Sequence, residues 1–322
     1  MKSLRLIAGL LACIAATASP AQEYPNRSIT MMVPYAPGPT DTVARIIAQS
    51  MSKPLGQSVV VENRPSAGGI LAPELVKNAK PDGYTILIHH IGMATTPALY
   101  RNLRFNPLTD FDYIGLINDV PMTLIGKSSL PAKDFKELLS YIKANKDKVN
   151  YAHAGIGAAS HLCGMLFMTA IQTEMLTIPY KGTGPAMNDL LGGQVDLLCD
   201  QTTNTTSQIK GGKVKAYGVT SIKRVPSLQE IPTLDEQGLK GFEIGIWHGL
   251  YGPKGMPKAA LNKLVAALQE GVKNPQVIQR FAELGATTYP PEKATPAALQ
   301  AQVKSEIEKW GPIIKKAGIY AD

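Results

Sequence analysis

"SITMMVPYAPGPTDTVARIIAQSM" (residues 28–51) packs an apolar, β-prone run, a punctuated turn and a helically spaced run into twenty-four residues. Alternation and β-branching make the first part a strand, and apolar spacing makes "TDTVARIIAQSM" a helix. Between them Gly38 stands between Pro37 and Pro39, just before Thr40 and Asp41. Such a turn can be a plain connection. It can also offer the free backbone N–H groups of a helix start to an anion.

The same unit recurs along the chain. "SVVVEN" (58–63) precedes the helical "GILAPELVKNA" (69–79), and "GYTILIHH" (83–90) is a third strand. After residue 120 the rhythm restarts. "MTLIGK" (122–127) is followed by the helix "AKDFKELLSYIKANK" (132–146), the strand "VNYAHAG" (149–155) and the helix "AASHLCGMLFMTAIQ" (158–172). "MLTIPYK" (175–181), "GPAMNDLLGG" (184–193), "VDLLCD" (195–200) and "VKAYGVTS" (214–221) complete it. Strands alternating with helices predict an α/β fold with parallel sheets covered on both faces. The C-terminal third reads as helices, with Leu261, Leu264, Val265 and Leu268 on one face, plus one strand, "FEIGIWHGLYG" (242–252). The expected architecture is two doubly wound lobes joined by crossing strands near residues 113–126 and 242–251. The expected boundaries put 22–121 and 249–322 in one lobe and 122–248 in the other. Ligands of open α/β sheets bind beyond the carboxyl ends of the strands, so the crevice between the lobes is the expected site.

Composition agrees with a globular protein: 322 residues, 44% hydrophobic and 18% charged. Lys2 and Arg5, the apolar run from Leu6 to Ala16 and the small residues of "SPA" (19–21) form a secretory signal peptide, with cleavage expected after Ala21. A lipoprotein with Cys13 acylated is the weaker alternative, because Leu11 sits where a smaller residue is usual. Removing Lys2 and Arg5 lowers the formal net charge from +8 to +6. The remaining cations are scattered, with no basic stripe interleaved with aromatics, so nucleic acid is not an expected partner. Cys163 and Cys199 lie in apolar runs, and buried thiols are expected in preference to a bridge.

Catalytic patterns are missing: no G-x-S-x-G, H-E-x-x-H, C-x-x-C or P-loop. "GIGAAS" (155–160) lacks the third glycine of a dinucleotide fingerprint and reads as a tight strand-to-helix turn. No cofactor, metal or catalytic residue is assigned. His89 and His90 are neighbours on a strand and must point to opposite faces. His161 and Cys163 face different ways on their helix, which argues against a metal site. Yet His89, His90, His153 and His248 all lie at or just past strand ends, where a crevice would be. "YAPGPTD", "RPSAGG", "HAGIGAASH", "YKGTGPA" and "DQTTNTT" are small or hydroxyl-rich loops, several of them preceding helices. Together they suggest an anion cradle built from helix N-termini.

"VPYAPGPTDTVARIIAQ", "VVENRPSAGG" with "AKPDGYTIL", "IPYKGTGPAMNDLLGGQVDLLCD", "GKVKAYGVTSIKR" with "IPTLDEQG", and "WHGLYGPKGMP" occur in order across the chain. They resemble the successive blocks of the tripartite tricarboxylate transporter receptors, the Bug or TctC-like solute-binding proteins. The resemblance implies a two-lobed, type II-like periplasmic binding fold that closes like a flytrap on a small carboxylate and delivers it to membrane permease subunits. A periplasmic monomer is expected. The family holds a carboxylate between two strand-to-helix turns, which map here to 35–41 and 155–161. The implied ligand-binding residues are Tyr35, Pro37, Gly38, Thr40 and Asp41 in the first turn. Gly155, Gly157, Ala158, Ser160 and His161 follow in the second, with Thr183 and Asp200 beside it. Asp41 reads as capping helix N–H groups. Pro39 departs from a usual glycine and removes one donor. Ala158 departs from a usual serine.

His89, His90 and His153 also depart from the family pattern. If one of the neighbouring pair and His153 face the cleft, they read a second polar end of the ligand, with imidazoles whose pKa lies close enough to neutral for an anion to raise it. An aromatic dicarboxylate such as terephthalate is the ligand this suggests, and an aliphatic or citrate-like diacid the runner-up. Two other functions compete. One is an enzyme on the same fold, for which no nucleophile–base pair stands out. The other is a sensing module that presents its closed form to a signalling partner.

Overall fold

The computed structural model describes residues 23–318, 320 and 321; the expected signal peptide, with Cys13, lies outside them. The chain begins with β1 (Ile29–Val33), α1 (Pro39–Leu55), β2 (Val59–Asn63), α2 (Leu71–Lys77), β3 (Thr85–His89) and α3 (Gly92–Leu99). β4 (Phe111–Lys127) and α4 (Phe135–Ala144) lead into β5 (Asn150–His153), α5 (Ala159–Ile171), β6 (Leu176–Pro179) and α6 (Thr183–Leu191). β7 (Leu197–Gln201), α7 (Thr202–Lys210) and β8 (Val214–Val219) follow. The chain closes with β9 (Gly245–Pro253), α8 (Lys258–Lys273), α9 (Pro275–Glu283), β10 (Thr287–Thr288) and α10 (Pro296–Ala317).

The strands run in the order β2-β1-β3-β9-β4-β7-β5-β6, with β8 and β10 also paired to β4. β1 is parallel to β2 and β3, and β5 is parallel to β6 and β7, as alternating strand–helix units require. The two long strands break that rule. β9 runs antiparallel to β3, and β4 runs antiparallel to β9, β7 and β8. β4 changes partners in mid-strand: Pro121 pairs with Gly245 of β9, and Met122 with Gln201 of β7. Thr220 ties this junction down, because its hydroxyl meets the Met122 N–H at 3.0 Å and the Ile244 carbonyl at 2.6 Å.

The deciding stretch folds as its pattern demands. Ile29, Met31 and Val33 are buried on β1, and α1 buries Val43, Ala44, Ile47, Ala48, Met51 and Leu55 along one face. Each fully buried aliphatic side chain of this kind is worth roughly 1.5–3 kcal/mol relative to exposure. α3 was not legible in the sequence. Its residues Gly92–Leu99 carry no polar face, and Met93, Ala94, Thr95, Thr96 and Leu99 are buried. With only Pro97 exposed, so short a helix shows too little contrast between its faces for a helical period to be read.

The cysteine expectation is corrected. Cys163 and Cys199 form a disulfide, with Cα atoms 6.2 Å apart. Both side chains are fully buried, one on α5 and one on β7. The packing of α5 over β7 brings together two apolar runs 36 residues apart, a proximity that spacing alone does not reveal. No helix among the described residues is long and apolar enough to cross a membrane.

Candidate functional site

Four helix starts meet around one cavity. It is lined by Tyr35, Pro39, Thr40, His90, Ala154, Ala158, Ala159, Ser160, Thr183, Asp200 and Gln201 and encloses ≈ 290 Å³ of atom-free space, part of it open to solvent. Pro39 and Thr40 open α1, Ala158 is the N-cap of α5, Thr183 opens α6, and Gln201 is the N-cap of α7. Helix starts carry unpaired N–H groups and the positive end of the helix dipole. The lining contains no lysine or arginine. What such a lining offers an anion is backbone amides and hydroxyls.

Strand-end turns from the two halves of the sheet close over this cavity. The Ala36 N–H donates to the Lys181 carbonyl at 2.9 Å, and the Gly68 N–H to the Ala154 carbonyl at 3.2 Å. The Thr95 hydroxyl donates to the Gly157 carbonyl at 3.0 Å, and the Tyr100 hydroxyl to the Ile156 carbonyl at 3.2 Å. Gly38 has extended backbone, with φ 172°, so conformational freedom is not its reason. Its reason is space: a Cβ there would stand 3.0 Å from the Gly184 nitrogen.

A family profile described as "Tripartite tricarboxylate transporter family receptor" matches residues 43–319. The chain belongs to that receptor family. Among its relatives, the "UPF0065 protein in the TAR-I ttuE-ttuC' intergenic region" of Agrobacterium vitis is 50% identical over 98% of this chain and 92% of its own. The solved periplasmic binding protein BugD superposes with a TM-score of 0.90 at 55% identity, covering 92% of this chain and 99% of BugD. MatC from Rhodopseudomonas palustris, solved with bound malate, superposes with a TM-score of 0.87 at 38% identity, over 90% of this chain and all (100%) of MatC.

Seven of the expected site residues line the receptor's cavity: Tyr35, Thr40, His90, Ala158, Ser160, Thr183 and Asp200. Pro37, Gly38, Asp41, His89, His153, Gly155, Gly157 and His161 do not. Pro37, Gly38, Gly155 and Gly157 shape the turns; Gly155 and Gly157 hold φ of 95° and 86°, where other residues are strained. The remaining four work inside the walls. Asp41 does not cap: it holds Arg45 through two hydrogen bonds, at 2.8 and 3.0 Å. Its charge still lies in the first turn of α1, where the helix dipole favours it. Sequence reasoning missed Pro39, Ala154, Ala159 and Gln201 as lining residues. The loops "YAPGPTD", "HAGIGAASH" and "DQTTNTT" contain all four, so the signal lay in the loops and not in the residue types.

The imidazoles of this receptor are packed and neutral. The expectation of opposite faces is corrected: His90 lies just past the end of β3, the two ring centroids are 5.0 Å apart, and Tyr35 contacts both rings. His90 lines the cavity, and His89 lies against the Gly69 carbonyl at 3.2 Å. Nδ1 of His90 accepts the Gly92 N–H at 3.0 Å, so its proton resides on Nε2. Burial, and then the proximity of His89 and His248, pushes His90 well below the ordinary histidine range. Tyr35 stacks on it, with ring centroids 5.0 Å apart and planes 11° from parallel. His153 and His161 accept the Gly155 and Gly157 N–H groups at 3.1 and 3.4 Å. Burial lowers both, His161 to about 4. The expectation of readily protonated imidazoles is corrected, because burial disfavours their charged form.

Asp200 is the one carboxylate in the lining. Burial pushes it up to about 6, against three hydrogen bonds that favour the charged form. They come from Thr183 Oγ1 at 2.8 Å, the Gln201 N–H at 2.8 Å and Asn204 Nδ2 at 2.6 Å.

Proposed function

We propose that this receptor captures a compact dicarboxylate in the periplasm by closing its two lobes, and hands it to a tripartite tricarboxylate-type permease. The carrying observation is the convergence of the α1, α5, α6 and α7 starts on one cavity whose lining has no cationic side chain. One carboxylate is assigned to the amides of α1 and α5, with Thr40 and Ser160 beside them. The second end is assigned to the Nε2–H of His90 and the start of α6. The malate bound to MatC is of this size and class. The change of partner at Pro121 and Met122 supports the boundary between 121 and 122. Gly245 already pairs with Pro121, which favours a second crossing just before residue 245.

A compact aliphatic diacid is favoured over an aromatic one such as terephthalate. The ≈ 290 Å³ of the cavity includes its mouth, and one face of the His90 ring is already covered by Tyr35. The test is a thermal-shift and calorimetric comparison of ligand-stripped protein with succinate, L-malate, adipate, terephthalate and the monocarboxylate butyrate. Diacids are expected to stabilise by about 2.7 kcal/mol at a hundredfold excess over Kd. Terephthalate binding more tightly than every aliphatic diacid overturns the preference. Recovery of a chemically altered ligand would mark an enzyme instead.

A further inference from the structure

His248, fully buried in β9, does not line the cavity but reaches it through Thr40. Its Nε2 lies 3.4 Å from Thr40 Oγ1. Its Nδ1 lies 2.9 Å from Oδ1 of Asn118, the residue opposite it on β4. Asn118 is fully buried as well, so Thr40 is the only member of this chain that opens onto the cavity. Burial, and then the proximity of His89, pushes His248 down to about 3. Its ring is therefore neutral and carries one proton, and the bond made by one nitrogen sets the state of the other.

Two proton arrangements fit these positions. In the first, Asn118 Oδ1 accepts from Nδ1–H, Nε2 accepts the Thr40 proton, and Thr40 shows the cavity only lone pairs. Asn118 Nδ2 is then a buried donor with no partner, which costs its desolvation. Half a turn of the amide exchanges Oδ1 and Nδ2 in place. In this second arrangement Nδ2 donates to Nδ1, Nε2–H donates to Thr40 Oγ1, and the Thr40 proton is free to point into the cavity. The unpaired atom is now a carbonyl oxygen, an orphan that folded proteins tolerate more often than an N–H. The ligand argues the same way, because a carboxylate at the start of α1 would face bare oxygen in the first arrangement and a donor in the second. We propose that Asn118 and His248 are positioning residues that hold the second arrangement and thereby aim the Thr40 hydroxyl proton at the ligand's carboxylate. The relay runs from the two crossing strands, β4 and β9, to the first turn of α1. It rests on the carboxylate reading above.

The experiment has a spectroscopic and a binding arm. Ring-nitrogen NMR of protein carrying isotope-labelled histidine reads the tautomer, ligand-stripped and then with succinate or L-malate. The signals missing from His248→Phe identify the residue. A proton on Nε2 and none on Nδ1 is expected in both states, and a proton on Nδ1 in either state overturns the proposal. Calorimetry with the same two acids compares Thr40→Val, His248→Phe and the double variant. Thr40→Val is expected to weaken binding at least about tenfold, the scale of one hydrogen bond to a charged group. His248→Phe is expected to cost about threefold or more alone, yet less than about twofold in the Thr40→Val background, because it acts through Thr40. Equal losses in both backgrounds would show that His248 only packs, and overturn the proposal. Binding of neither acid by cooperatively folded wild type overturns the dicarboxylate reading, while the spectrum of the ligand-free protein still decides the relay.

Discussion

The carbonyl oxygen of Pro37 lies 1.8 Å from where any Cβ at position 184 would have to stand. Pro37 precedes α1, in one half of the sheet, and Gly184 is the second residue of α6, in the other. The two helix starts approach so closely only because residue 184 has no side chain. Backbone cannot yield as a flexible side-chain tip can, so the contact acts as a stop that only glycine passes.

Gly184→Ala is therefore expected to hold the halves apart. Affinity for the diacid that binds the wild type should fall at least about tenfold, equivalent to 1.4 kcal/mol. The ligand-free protein should keep or slightly gain stability, since alanine favours a helix over glycine by about 1 kcal/mol. Small-angle scattering with saturating ligand should show a radius of gyration no smaller than without it. Wild-type-like compaction in Gly184→Ala would show that the stop can relax.

The stack of Tyr35 on His90 can be separated from the donor that His90 offers. His90→Phe keeps a ring against Tyr35 and removes Nε2–H. Its expected cost is about 1.5–3 kcal/mol in diacid binding, the range for a hydrogen bond to a charged group. Calorimetry checks this, and a loss below about 0.5 kcal/mol would move the second carboxylate away from His90.

The Cys163–Cys199 bridge closes a loop across 36 positions. In the chain-entropy treatment a loop of that size contributes about 4 kcal/mol to stability. The paired Cys163→Ala, Cys199→Ala variant should unfold at correspondingly lower urea. Cys199 directly precedes Asp200, so diacid affinity is expected to weaken too. Equal midpoints for the wild type and the paired variant would show that the bridge adds nothing.

Acidification should destabilise the protein, and the sign follows from the histidines. Folding lowers His89 and His161 to about 4 and His248 to about 3, and it also lowers His90 and His153. Between the ordinary value of 6.5 and those folded values the unfolded chain binds more protons. Their contribution is thus present above 6.5 and lost as pH falls towards 4. Asp119 and Asp200, raised to about 6 chiefly by burial, oppose this, gaining stability as pH falls from about 6 to 3.8. Five groups against two leave a net loss, at most about 1.4 kcal/mol per pH unit for each net proton. The Tm should fall between pH 7 and 5; a Tm that rises would show that the carboxylates dominate.

Residues 28–51 determine their own fold without help. Alternation on β1 and the stripe from Val43 to Leu55 on α1 are local patterns with a period, and each states which face is buried. Repetition of that unit, and strand ends followed by small loops, made the two-lobed α/β class and the helix-start cradle legible from the chain alone. What had no period, or depended on distance through space, was decided only by the tertiary structure. α3 exposes only Pro97, so its faces differ too little to carry a pattern. The disulfide needed α5 laid on β7. Strand alternation predicted opposite faces for His89 and His90, but the strand ends at His89 and the two rings pack together; only the tertiary packing showed which one lines the cavity and kept both neutral. The link from Thr40 through His248 to Asn118 spans 208 and then 130 positions of the chain and became visible only after folding. Hydrogen-bond satisfaction is a property of the assembled neighbourhood, and no spacing along the chain encodes it.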